Sequence, residues 1–190
     1  MTTCYHESVP GHHLQIGYAK VQAASLSRIQ RESFIPGHGE GWALYAEQLC
    51  DEFGWFDDPD YRLGFLSGQM LRTVRVIIDI GMHLGRAIPE GTTLNDGSQF
   101  HGGETWTPDL AFEFAVSETG HTEAFMRSEV DRYLGWPAQA ISYKIGQREW
   151  VAARDDARRA DGDFDMKAWH TKALRLGAVG LGQLRAELAR

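Results

Sequence analysis

The chain has 190 residues, 43% of them apolar and 24% charged, with a formal charge of −7 at neutral pH. Such a composition belongs to a globular protein with its own core and excludes collagen-like and low-complexity classes. The acidic balance argues against a nucleic-acid partner, because no basic stripe is available to neutralise phosphates. No apolar run approaches the roughly 20 residues that a membrane span needs; the best stretch, Val74 to Leu84, is interrupted by Arg75, Asp79 and His83.

In chain order, Leu14, Tyr18, Val21, Ala24 and Leu26 recur at steps of roughly three and four, predicting an amphipathic helix to about Arg31. Pro36-Gly37-His38-Gly39 reads as a break. A second helix is expected from near Glu40 to Gly54, and a long third from about Pro59 to Ile88, stopped by Pro89-Glu90-Gly91. Residues 91–105, rich in Gly and polar side chains, form the longest evident loop. Thr107 then resembles an N-cap with Pro108 at the first helical position. Further helices are expected over 108–118, 121–134, 137–159 and 165–188, the last broken near Gly177–Gly182. Strand-like alternation is nearly absent, so the fold class is mainly α, read as one helical domain over 1–190. Cys4 and Cys50 are too few for a disulfide framework and read as free thiols. No signal peptide is visible at the N-terminus, and both a cytoplasmic and a periplasmic location stay open. A possible homodimer is expected from apolar surface that a partial chain would expose.

The chemistry concentrates in His6-Glu7-Ser8-Val9-Pro10-Gly11-His12-His13. Zinc hydrolases often hold their metal with two histidines one helical turn apart, a Glu beside the first acting as general base. Here His6-Glu7 supplies the first half, but the position one turn on is Pro10. On an unbroken helix His12 would lie about 120° from His6, while His13 would share its face about 10 Å further along. Pro10-Gly11 is where a helix kinks or loosens, so a distorted turn could return either histidine to the metal. Glu40 follows in a mostly apolar segment, and Glu47 shares its helix face. A buried carboxylate there needs a partner, which a zinc ion would supply; the alternative is a residue favouring a helix N-terminus. Cys4 is a further, weaker metal candidate.

Other polar residues admit two readings. Arg75, Asp79 and His83 repeat every four residues on an apolar helix. They form either an internal ion-pair row or a cleft lining in which Arg75 holds a peptide carboxylate and His83 assists. Arg132 reads as a partner for Glu129. His38, His101 and His121 read as turn or surface histidines, and His170 as packing or capping. Tyr143, from its spacing alone, is a core aromatic.

The segments HESVPGHHLQ, GHGEGWALYAEQL, RVIIDIGMHLG, EVDRYLGWPAQAISYKIG and FDMKAWHTKAL follow one another as in domain of unknown function 885, and the chain resembles that family over nearly its whole length. Its members are bacterial proteins, many described as lipoproteins, that look like helical zincin-like metallopeptidases of the gluzincin kind. They are about three times as long, so the chain resembles their C-terminal catalytic portion. The resemblance implies that His6, one of His12 or His13, and Glu40 bind zinc. It also implies that Glu7 is the general base and Tyr143 the oxyanion donor. The leading expectation is therefore a zinc metallopeptidase cleaving short peptides by metal-activated water. Its rivals are a non-peptide amide or ester hydrolase and a helical interaction module with a structural or vestigial metal site.

Overall fold

A computed structural model of the chain describes residues 1–189, which are mainly helical and contain no sheet. The helices are α1 (Thr2–Glu7), α2 (His12–Val21), α3 (Arg28–Glu32), α4 (Pro36–Glu52), α5 (Pro59–His83), α6 (Pro108–Thr119), α7 (Glu123–Gly135), α8 (Ser142–Ala160), α9 (Met166–Leu174) and α10 (Leu181–Leu188).

Several boundaries differ from the periodicity, each for a local reason. The helix expected to reach Arg31 stops at Val21 and restarts as α3. The Ser25 hydroxyl takes the Gln22 carbonyl at 2.9 Å, a side-chain bond that competes with helix continuation. Ser27 and Gln30 then form a reciprocal capping box that starts α3. Pro36-Gly37-His38-Gly39 is no break but the first turn of α4, with Pro36 at its first position, where a missing N–H costs nothing. Helix α5 ends at His83, before the expected Pro89 stop. Gly85 turns left-handed there (φ 55°), with Arg86 N–H on Gly81 O at 3.0 Å and Gly85 N–H on Met82 O at 3.3 Å, a Schellman closure. Residues 84–107 are extended and turning, with two isolated antiparallel bridges, Ala87 to Thr105 and Thr93 to Gln99. Helix α8 begins at Ser142, later than expected.

The chain divides into two compact units. One is Met1–Phe65 together with the chain from Ser142 onward. Its centre is α4 packed on α8, with Trp42, Tyr45 and Leu49 meeting Trp150 and Ala153, then Trp169 and Ala173 of α9 and Leu184 and Leu188 of α10. Every residue from His38 to Glu47 is buried, so α4 is a core helix rather than an amphipathic one. Its approach to α8 depends on two glycines. A Cβ on Gly41 would lie 2.5 Å from the Gly146 backbone, and one on Gly146 would lie 2.0 Å from Gly37 O. The other unit, Leu66–Ile141, has a separate core that includes Val74, Ile78, Phe100, Trp106, Phe114, Met126 and Tyr133.

Candidate metal centre

Three elements of the first unit converge on one point. α1 carries His6 near its end, α2 opens on His12, and α4 presents Glu40 one turn inside its start. The link between α1 and α2 is a tight turn rather than a loosened helix. Trp42 Nε1–H donates to Pro10 O at 2.9 Å and to Gly11 O at 3.2 Å, tying the turn to α4. Gly11 sits so close beneath α1 that a Cβ there would be 1.9 Å from His6 O. Only glycine fits. The turn brings the His12 ring to 4.8 Å from the His6 ring, nearly perpendicular at 89°.

The result settles the spacing question geometrically. His6 Nε2 lies 3.4 Å and His12 Nε2 3.2 Å from the same atom, Glu40 Oε2. One ligand-capable atom from each of the three lies within 4.8 Å of the others. Among the described residues this is the one group of three or more His, Cys, Asp or Glu side chains so arranged. Atoms held about 2.0–2.1 Å from a zinc ion at tetrahedral angles lie about 3.3–3.4 Å apart, close to the two separations from Glu40 Oε2. Cys4 is exposed and outside the group, with its sulfur 3.9 Å from Ser8 Oγ.

The surroundings prepare the ligands. His6 is 4% exposed, and its Nδ1–H donates to Glu47 Oε1 at 2.7 Å. That bond orients the ring so that Nε2 faces Glu40, 3.4 Å from its Oε2. Glu47 is fully buried and takes a second bond, from Thr2 Oγ1, at 2.7 Å. A carboxylate behind a ligating histidine orients the ring and raises its basicity. Burial alone would raise the pKa of Glu40, but the contacts from His12 and His6 outweigh it and hold the carboxyl at about 2. Glu40 is therefore an anion throughout the neutral range. Its two imidazole neighbours and its own charge make a donor set of two nitrogens and one oxygen, the composition of a three-ligand site with a position left for water or substrate.

The sequence pattern of the family described as "Bacterial protein of unknown function (DUF885)" matches residues 1–188. The chain belongs to the DUF885 family. Among solved structures it is similar to a "putative lipoprotein" from Colwellia psychrerythraea, with 33% identity and a TM-score of 0.82 over 98% of this chain and 29% of that one. It also shares its fold with a protein of the same description, of unknown function, from Shewanella oneidensis. There the identity is 24% and the TM-score 0.80, over all of this chain and 31% of that one. The DUF885 chain thus spans just under a third of the length of these relatives. No curated protein matches it.

The remaining expected site residues fall in different places. His13 is exposed and outside the group, so of the two histidines it is His12 that this DUF885 chain brings beside His6 and Glu40. Glu7 ends α1 and is exposed. Among the described residues its carboxylate has no hydrogen bond or ion pair, and it borders an open depression with His12, His13, Ile16 and Gly17. The Tyr143 ring stacks on His6 at 6.1 Å and 24°, half-buried. Spacing alone read it as a core aromatic; it flanks the ligand group instead.

Arg75 and His83 belong to the other unit. The Arg75 Nε–H donates to Tyr133 OH at 2.8 Å, and its Nη2 pairs with Glu129, which also takes Arg132 Nη2 at 3.0 Å. Asp79 accepts the Ala138 N–H at 3.1 Å and faces His83 Nδ1 at 3.4 Å. Of the two readings of that row, the internal network is what the contacts display, which leaves the Arg75 head committed within its own unit. His38 corrects another expectation. It is 5% exposed, on α4, with its ring 5.2 Å from that of Trp150. It is a core histidine because α4 begins four residues earlier than the Gly-rich stretch suggested.

Glu47 and Thr2 are the contributors that motif reading did not assign. The only hint was that Glu47 lies seven residues after Glu40, on the same helix face.

Proposed function

We propose that this chain carries the metal centre of a zinc-dependent hydrolase, and that its substrates are short peptides. The observation that supports this most is the convergence of His6 Nε2, His12 Nε2 and Glu40 Oε2, at separations of 3.2 and 3.4 Å about the shared carboxylate oxygen, with Glu47 behind His6. His6, His12 and Glu40 would hold the ion. When bound, zinc supplies a Lewis acid at neutral pH with one position open to water or a carbonyl oxygen.

The chain's own groups supply the rest. Glu7, a carboxylate with no partner at the mouth beside His12, accepts the proton of the attacking water and returns it to the leaving amine. Glu47 keeps the His6 proton on Nδ1. Tyr143, whose ring stacks on that of His6, would donate its phenol hydrogen to the oxygen that gains charge at the carbonyl.

The test has two parts. Metal analysis of the purified chain is expected to give one equivalent of zinc. The zinc-loaded chain is then compared on short peptides and on matched amides and esters. Glu7→Gln should retain the zinc and lose hydrolysis; hydrolysis that survives the substitution removes Glu7 as the base. A chain that excludes zinc removes the whole reading.

A further inference from the structure

A partly enclosed cavity of about 50 Å³ lies in the first unit, bordered by α2, α3, the start of α4 and the turn after α9. Its lining includes Gln15, Ile16, Arg31, Phe34, His38 and Ala178. Its place in the chain ties it to the metal centre on three sides. Gln15 and Ile16 lie one turn beyond His12 on α2, and Ile16 also borders the depression that holds Glu7. His38 is two residues before Glu40 on α4. The Phe34 ring packs 6.1 Å from the His12 ring, 62° to it.

The walls are mostly apolar, yet two lining residues hold buried N–H groups without a hydrogen-bond partner, His38 Nε2 and Arg31 Nε. The proton on His38 can be placed. Its Nδ1 lies 3.2 Å from the Gln15 amide nitrogen, which can only donate, so the ring hydrogen sits on Nε2. Arg31 keeps its guanidinium on the Ala23 carbonyl through Nη1, at 3.3 Å, and its Nε lies 3.8 Å from Glu32 Oε1, an ion pair beyond hydrogen-bond length. An apolar cavity with one unmatched donor, His38 Nε2, a second held only by a long ion pair, and a volume of a few waters is complementary to a short side chain that ends in an oxygen acceptor.

We infer that this cavity is a specificity pocket that receives a small oxygen-bearing side chain (Ser, Thr, Asn or Asp) of the peptide, beside the bond presented to the metal centre. The inference rests on the proposed peptidase reading and adds the substrate class to it. A buried donor that meets an apolar isostere stays unpaired, and that asymmetry makes such pockets selective.

The experiment uses near-isosteric peptide pairs, Thr against Val and Asn against Leu, varied on each side of the scissile bond. On the zinc-loaded chain, kcat/KM is expected to favour the oxygen-bearing member at one of the two positions by roughly tenfold or more. His38→Phe should bring that ratio close to one, and Ala178→Leu, which fills the cavity from another wall, should do the same. A ratio does not depend on how much of a variant folds. The same ratio is read as Kd on the zinc-loaded Glu7→Gln chain, so that a chain that binds without cleaving still reports on the pocket. Equal kcat/KM within each pair, or a preference that both variants keep, overturns the pocket while leaving the hydrolase reading intact. Peptides that are bound selectively but never cleaved overturn the hydrolase reading alone. Peptides neither bound nor cleaved overturn both.

Discussion

Glu47→Gln is the substitution that most directly probes how the ligand group is held. The glutamate is fully buried and accepts two hydrogen bonds of 2.7 Å, from His6 Nδ1 and Thr2 Oγ1. Glutamine has nearly the same shape, but it offers one acceptor oxygen and no charge. One of the two donors then faces an amide NH2, and His6 loses the anion that raises its basicity. Partners of this kind are worth roughly 10–100-fold in metal affinity, or about 1.4–2.8 kcal/mol. Thr2→Val removes only one neutral bond to Glu47 and should cost less, about 1 kcal/mol. The assay is competition for zinc against a chelator at fixed pH, with the thermal midpoint of the metal-free protein measured in parallel. A purely packing role for Glu47 moves the metal-free midpoint and leaves the zinc constant alone. If Glu47→Gln binds zinc within a factor of about two of the parent chain, His6 is not a ligand set by Glu47.

His12→Ala should lose most zinc binding, whereas His13→Ala, at an exposed position outside the ligand group, should leave the chelator titration unchanged; a reversed result assigns the second ligand to His13. Gly146→Ala pushes a methyl into the α4 backbone, 2.0 Å from Gly37 O. It should lower stability to denaturant by about 1–3 kcal/mol or more, and an unchanged midpoint would mean that α4 and α8 are not so closely apposed. In the second unit, burial would raise the Glu129 pKa, but Arg132, Arg75 and Tyr133 hold it at about 2 instead of 4.5. A carboxyl depressed in the folded state contributes its stability above pH 4.5 and loses it as the pH falls toward 2, on the order of 3 kcal/mol in all. Glu129→Gln should therefore destabilise the chain at pH 7 far more than at pH 2; equal losses at both would rule out the ion-pair account.

The helical class was legible because it is written in periodicity, and periodicity survives whatever the tertiary contacts do. What was not legible was decided by contacts between distant residues. Pro36-Gly37-His38-Gly39 reads locally as a break. It becomes the first turn of α4 because Gly41 and Gly146 let α4 and α8 backbones meet and because Phe34 packs where a Cβ on Gly39 would lie, 2.5 Å from its ring. That shift of four residues turned His38 from an expected surface histidine into a core one facing a cavity. The choice between His12 and His13 could not be made from helical angles, since no helix joins them to His6. The turn through Pro10-Gly11 is held by an indole 31 and 32 residues away in sequence, a partner that no local pattern announces.

The same reasoning explains why Glu40 was recognisable and Glu47 was not. A carboxylate inside an apolar run signals an unmet electrostatic need, and both residues send that signal. Only the fold distinguishes the carboxylate that would serve an ion from the one already met by an imidazole N–H. Glu40 has two Nε2 atoms in front of it and no hydroxyl or backbone donor among its contacts, whereas Glu47 is already satisfied by Nδ1–H and Thr2. A carboxylate faced by two imidazole nitrogens at 3.2 and 3.4 Å is poorly served by hydrogen bonding, whose charge-assisted form is shorter, about 2.7–2.9 Å. Those two separations match the spacing of atoms that would share one cation.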